Sequence, residues 1–286
     1  MIGQANLQSR IEQLIKNHTF PRFSIFVGPK GSGKKTFAHE LERLFNNWRV
    51  SSDHVNVYEL LDVKIDTVRE TITQSYKQIM TMLYIIPDAD NMSNAAKNAL
   101  LKVTEEPPNE AYFIMTLEDE NNTLETIRSR GTVFHMDRYT PDEIYQYAKE
   151  YTNYTLHDDE WDIIKDICET PGDVNNLGKY PREFYDYVEL VVDNIAEVSL
   201  ANAFKIPSKV ALKEDAEGYD LKLFWKAVAS VMLNRAKQRG NSKELVKYCD
   251  GYSVTSKYLQ KLRVKGINRS MLMDNWILEI RDLWQN

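Results

Sequence analysis

The residues with the clearest chemical potential are Gly28-Pro29-Lys30-Gly31-Ser32-Gly33-Lys34, which follow an apolar run and precede an amphipathic segment. Glycines free the backbone to curl its N–H groups round an anion, a helix beginning after them adds a favourable dipole, and the Lys34 ammonium can reach outer phosphates. The run fits the phosphate-binding pattern G-x-x-x-x-G-K-[ST] in all but its last position. Lys35 stands where a Ser or Thr hydroxyl would bind Mg2+, and Thr36 comes one residue late on a different helix face. The expected nucleotide-binding set is Gly28, Gly31, Ser32, Gly33, Lys34, Lys35 and Thr36, for ATP or ADP, with the Mg2+ position compromised. A glycine-rich turn without a ligand is the competing reading.

A second group of polar residues lies further on. Met82-Leu83-Tyr84-Ile85-Ile86-Pro87-Asp88-Ala89-Asp90 places two carboxylates just past an apolar run, and Ser129-Arg130 precedes another. Strand-end carboxylates that merely face solvent are the plain reading for Asp88 and Asp90.

These residues need elements to position them. Apolar runs at 23–27, 55–60, 83–86, 111–116 and 132–136 read as five buried strands, separated by helical stretches, the pattern of a parallel sheet flanked by helices. The clearest helix spans 94–106, with Ala95, Ala96, Ala99, Leu100 and Val103 on one face and Pro107-Pro108 as its stop. Beyond His135 the strand signals fade. Thr140-Pro141-Asp142-Glu143 reads as a capping box with proline at the first helical position, opening a new helix and a new domain. A helix follows over 158–169, ending before Thr170-Pro171-Gly172. The stripes Leu221, Phe224, Trp225, Val228, Met232 and Leu272, Trp276, Ile280, Leu283 read as core positions of a helical bundle.

The stretch from 82 to 108 carries a resemblance. Asn98-Ala99-Leu100-Leu101-Lys102 and Glu105-Glu106-Pro107-Pro108 behind the Walker B strand are similar to the clamp-loader subunits of the AAA+ class. Ile2-Gly3-Gln4, Asp66, Arg69-Glu70 and Ser129-Arg130 match in the same order, so the likeness covers about residues 1–136. The resemblance implies an α/β fold: an AAA+ P-loop domain with a five-stranded parallel sheet over 1–137, a small helical lid over 138–180 and a C-terminal helical collar over 181–286. It also implies partners: other loader subunits, a sliding clamp and, through the assembly, primer–template DNA.

Carried over by position, the resemblance is uneven. Where the family's strand ends in Asp-Glu, this chain has Pro87 and Asp88, which leaves Asp88 a weak catalytic candidate. The polar sensor slot falls at Leu117 or Glu118, with Thr116 the nearest hydroxyl, and the lid's sensor arginine slot holds Asn175. The Ser-Arg-Cys motif keeps Ser129 and Arg130, with Gly131 in place of the cysteine, and the family's arginine acts in trans on the ATP of a neighbouring subunit. Four positions serving the chain's own ATP are altered and one serving a neighbour is kept. The pattern most resembles the delta-prime kind of loader subunit, in a short, zinc-free form such as a divergent or phage-encoded version would have. An active motor subunit, or an AAA+-derived protein adaptor outside replication, are the alternatives; a stand-alone kinase lacks a visible phosphoacceptor site.

Composition bounds the rest. At 286 residues with 43% hydrophobic content the chain can fill ordinary cores, and a net charge of −6 argues against a protein that coats DNA by itself. Lys97 and Lys102 read as surface lysines, with contact to a duplex backbone as the alternative. Two cysteines, Cys168 and Cys249, make neither a disulfide framework nor a four-cysteine zinc module, and no metal ligand set is expected. No apolar run has signal-peptide or membrane-spanning length, so a cytoplasmic protein without a membrane partner is the expectation.

Overall fold

The computed structural model describes residues 2–48, 54–108, 111–152, 158–177, 181–212, 217–238, 242–262, 264 and 266–285. The chain divides into two units, residues 1–140 and 141–286.

The first unit begins with α1 (Ala5–Lys16), β1 (Phe23–Val27), α2 (Lys34–Asn47), β2 (Asn56–Glu59) and α3 (Ile65–Ser75). It continues with β3 (Met82–Ile86), α4 (Asn94–Glu105), β4 (Ala111–Leu117), α5 (Glu125–Arg128) and β5 (Thr132–His135). The five strands are parallel in the order β2-β3-β4-β1-β5. Alternation along the strands divides their side chains between two layers. Phe23, Ile25, Val27, Tyr84, Ile86, Phe113 and Met115 face a core shared with α3, α4 and α5. Phe26, Leu83, Ile85, Tyr112 and Ile114 face one shared with α1 and α2. Each fully buried large apolar side chain contributes about 1.5–3 kcal/mol relative to exposure.

The three inner strands are buried on both faces, which explains their continuous apolar runs. The expectation of five buried strands is corrected at the margins. β2 and β5 are edge strands with exposed or half-buried positions, Tyr58, Glu59 and His135 among them. α4 starts where Ser93 caps it, the hydroxyl accepting the Ala96 N–H at 3.2 Å.

The second unit holds α6 (Pro141–Tyr151), α7 (Asp158–Ile167), α8 (Pro171–Leu177), α9 (Pro181–Asn194) and α10 (Leu200–Ala203). It then adds β6 (Val210–Ala211), β7 (Tyr219–Asp220), α11 (Leu221–Gln238), α12 (Ser242–Lys261) and α13 (Arg269–Gln285). β6 and β7 form a two-residue parallel pair that the sequence reading did not anticipate, being too short to show a period of two. α7 packs against α9 and α11, and α11 packs against α9 and α12. The Trp225 and Trp276 rings are fully buried. The Trp276 indole donates to the Thr255 hydroxyl at 3.1 Å, which donates to the Gly251 carbonyl at 2.9 Å. Gly251 is needed there: a Cβ would come within 2.9 Å of the Trp284 ring and 3.0 Å of the Met232 sulfur. Burial raises the pKa of the Cys168 thiol, while Cys249 is exposed. Among the described residues no helix is long and apolar enough to cross a membrane.

Candidate functional site

The glycine-rich loop joins β1 to α2 at the carboxyl end of the sheet, beside the point where chain connections depart in opposite directions from β1 and β4. Gly31 and Gly33 have φ of 80° and 84°, in the left-handed region that favours glycine. Gly33 caps α2 and, having no side chain, offers the first-turn amides no capping acceptor of its own, an arrangement suited to an anion at the helix start. The Lys34 ammonium folds back onto the loop, donating to the carbonyls of Gly28 at 2.7 Å and Pro29 at 2.9 Å. Desolvation by burial lowers its pKa, opposed by the nearby carboxylates of Glu118, Asp88 and Asp90. The Ser32 hydroxyl is buried without a hydrogen-bond partner.

The sequence reading missed two sets of contacts at the end of the first unit, one of which reaches this loop. The Tyr139 hydroxyl donates to the Ser32 carbonyl at 2.8 Å. The fully buried Gln4 amide clasps the Asp137 backbone, donating to its carbonyl at 3.0 Å and accepting its N–H at 2.8 Å. Gln4 and Asp137 lie 133 residues apart, so only the match of Ile2-Gly3-Gln4 to the family signalled its importance.

At the end of β3 the backbone of Asp88 takes a left-handed conformation, φ 44° and ψ 45°, uncommon for a residue with a Cβ. Its N–H donates to the buried Thr116 hydroxyl at 3.0 Å, which fixes the turn and leaves the carboxylate exposed. The nearest hydroxyl to the sensor slot thus serves the Asp88 backbone. Asp90 is not simply a solvated carboxylate. It accepts the Glu118 N–H at 2.8 Å and the Asn122 side-chain amide at 2.9 Å, tying the β3 turn to the loop after β4.

The Mg2+ position does not fit a metal. Pro87 has no ligating side-chain atom where the family places a carboxylate, and the Lys35 ammonium pairs with Glu59 at the end of β2 at 2.5 Å. Glu59 also meets His39 at 2.7 Å. Burial raises the pKa of Glu59, but the hydrogen bonds from Lys35 and His39 outweigh it and hold the carboxyl below its ordinary value. Thr36, on the exposed side of the first turn of α2, is not aligned with this pair.

Arg130 lies on the far side of the unit, just past α5. Its Nη1 donates to the Thr126 carbonyl at 2.8 Å and its Nη2 pairs with Glu105 at the end of α4 at 2.9 Å. Gly131 leaves no room for a cysteine: a Cβ there would meet Ile25 at 2.8 Å and Phe23 at 2.9 Å. The structure therefore does not bring Arg130 to the chain's own loop residues but seats it on α4 and α5. In the second unit, Asn175 exchanges hydrogen bonds with the Tyr147 hydroxyl at 3.0 and 3.2 Å.

The two lysines of α4 behave differently from one another. Lys97 is buried, its ammonium donating to the Asn122 carbonyl, which corrects its reading as a solvated surface lysine. Lys102 is exposed, with its ammonium 4.8 Å from the centre of the Tyr76 ring.

A five-stranded parallel sheet with a glycine loop between β1 and α2 and a helical second unit defines an AAA+ fold. The family described as DNA polymerase III, delta subunit, matches residues 49–140. A replication factor C small subunit from Staphylothermus marinus is 25% identical over 74% of this chain and 66% of its own length. A DNA polymerase III subunit gamma/tau from Mycoplasma genitalium is 27% identical over 50% of this chain and 28% of its own. In fold, a DNA polymerase III gamma subunit-related protein from Thermotoga maritima superposes with a TM-score of 0.51 at 16% identity, covering 95% of this chain and 98% of that one. The chain spans between about half and two-thirds of the length of the first archaeal relatives it matches. These likenesses are to proteins named as subunits of DNA polymerase III and of replication factor C.

Proposed function

We propose that the chain works as a clamp-loader subunit in DNA replication, delta-prime-like and weakly or non-hydrolysing, whose Arg130 completes the ATP site of a neighbouring subunit. The supporting observation is the contrast between the two sites. The chain's own corner has Lys35 paired away to Glu59, Pro87 in place of a metal ligand, and Thr116, the hydroxyl nearest the sensor slot at Leu117 or Glu118, engaged with the backbone of Asp88. Arg130 is kept, held by one carbonyl and one carboxylate, and partly exposed.

The loop retains its glycine geometry and its buried lysine, which favours nucleotide binding without efficient turnover. Gly28, Gly31, Ser32, Gly33 and Lys34 would hold the phosphates of ATP or ADP; Lys35 and Thr36 flank them without forming a Mg2+ site. The helical lid, over 138–180, and collar, over 181–286, would carry nucleotide response and assembly, with other loader subunits, a sliding clamp and primer–template DNA as partners in the cytoplasm. The test is ATP turnover by the loader reconstituted with Arg130→Ala: a fall with the chain's own nucleotide affinity intact supports the reading, and unchanged turnover counts against it. Hydrolysis by the isolated chain that collapses on Lys34→Ala would favour an active motor subunit instead.

A further inference from the structure

The guanidinium of Arg130 is held along one edge while its other side stays available. Nη1 donates one hydrogen to the Thr126 carbonyl at 2.8 Å, and Nη2 lies in an ion pair 2.9 Å from the Glu105 carboxylate. Nε–H and the second hydrogen on each terminal nitrogen remain for another acceptor. The Arg130 side chain keeps 39% of its surface exposed, so the grip does not sequester it.

The holders are themselves fixed. Glu105 ends α4, a twelve-residue helix capped by Ser93 and seated on the sheet through Ala96, Leu100 and Val103. Thr126 belongs to α5, whose Ile127 enters the same core. A planar arginine fork gripped by two groups on packed elements loses little further freedom when it meets a phosphate.

We propose that Glu105 is the positioning residue for Arg130, pre-setting the guanidinium to present its free donors to the phosphates bound by the adjacent subunit. This rests on the reading of Arg130 as a residue acting in trans. Glu105 touches no nucleotide; it acts through the arginine. Its own exposure, 53% of the side chain, means the pair contributes little to folding and chiefly selects a rotamer.

The experiment is steady-state ATP turnover by the loader reconstituted with the motor subunits that co-purify with this chain, in the presence of clamp and primed DNA. Glu105→Ala is expected to lower kcat by about tenfold with KM for ATP little changed, since misorientation of a transition-state contact is felt mainly in kcat. Glu105→Gln, whose amide oxygen still accepts from Nη2, is expected to restore most of the loss. Glu105→Ala added to Arg130→Ala is expected to cost nothing more, and the melting temperature to stay unchanged. If Arg130→Ala lowers turnover while Glu105→Ala leaves it unchanged or raises it, the positioning role is overturned and the trans role stands. If Arg130→Ala has no effect, both fall. If Glu105→Ala and Glu105→Gln lower turnover equally, the carboxylate's charge rather than its grip matters, which also overturns the proposal.

Discussion

Lys35 and Arg130 are both exposed cations paired with a glutamate, at 2.5 Å and 2.9 Å, yet the pairings have opposite consequences. Lys35 has a single compact charge, and its partner Glu59 draws it toward the edge strand β2. Arg130 has a fork, held by one hydrogen bond and one ion pair. Glu59 draws the Lys35 ammonium aside from the loop, whereas Glu105 holds the Arg130 guanidinium in place. That contrast is what the proposed function rests on: a corner read as binding without strong catalysis, and an arginine read as acting on a neighbour.

The sharpest way to break the comparison is to exchange the damage between the corners. Arg130→Ala is expected to cut ring turnover on the order of 10³-fold, as removal of an arginine acting in trans does, with nucleotide affinity of the isolated chain unchanged. Equal losses in both assays would end the separation. Next in size is Gly131→Val. Forcing side-chain atoms against Ile25 and Phe23 is expected to cost about 2–3 kcal/mol by denaturant unfolding, because the buried strand β1 cannot yield. Lys34→Ala comes third, weakening ATP binding by about 2 kcal/mol, roughly thirtyfold, in a titration. That loss should be similar with and without Mg2+, since the metal position lacks its ligands; a loss seen only with Mg2+ would revive a metal site.

The smallest effect concerns Glu59. Its folded pKa lies below the ordinary 4.5, so its contribution to stability is fully present above that pH and is lost as pH falls through the folded value. The stability difference between the native chain and Glu59→Gln is expected to be under about 1 kcal/mol at pH 7 and to vanish in more acidic melts, because the pair is partly screened by solvent. A difference that persists undiminished in acid would mean that Glu59 acts through packing instead of charge.

Much of the fold was legible in the sequence because its signals are local. The inner strands are continuous apolar runs, α4 announces itself by its alanine–leucine face and Pro107-Pro108, and the loop by its glycines. What escaped was carried by partners far apart in the chain. Asp90 reaches Asn122, Asp88 reaches Thr116, Gln4 reaches Asp137, and Glu105 reaches Arg130. Lys97 misleads for a related reason: on a helical wheel it is a polar residue among others, and only the loop after β4 makes it a buried donor. The edge positions of β2 and β5 follow from strand order, which composition does not encode.

Strand β1 has a mechanical consequence. One end releases the glycine loop at Gly28, and Phe23 and Ile25 near the other press against Gly131, the residue that follows Arg130. All five residues are buried, with neighbours β4 and β5 bonded on either side. The strand is about 16 Å long and behaves as a stiff bar. The loop that would grip one nucleotide and the arginine that would reach another are thus set at a nearly constant span. In a ring of such subunits the first unit would act as a spacer of fixed length between the two nucleotide sites.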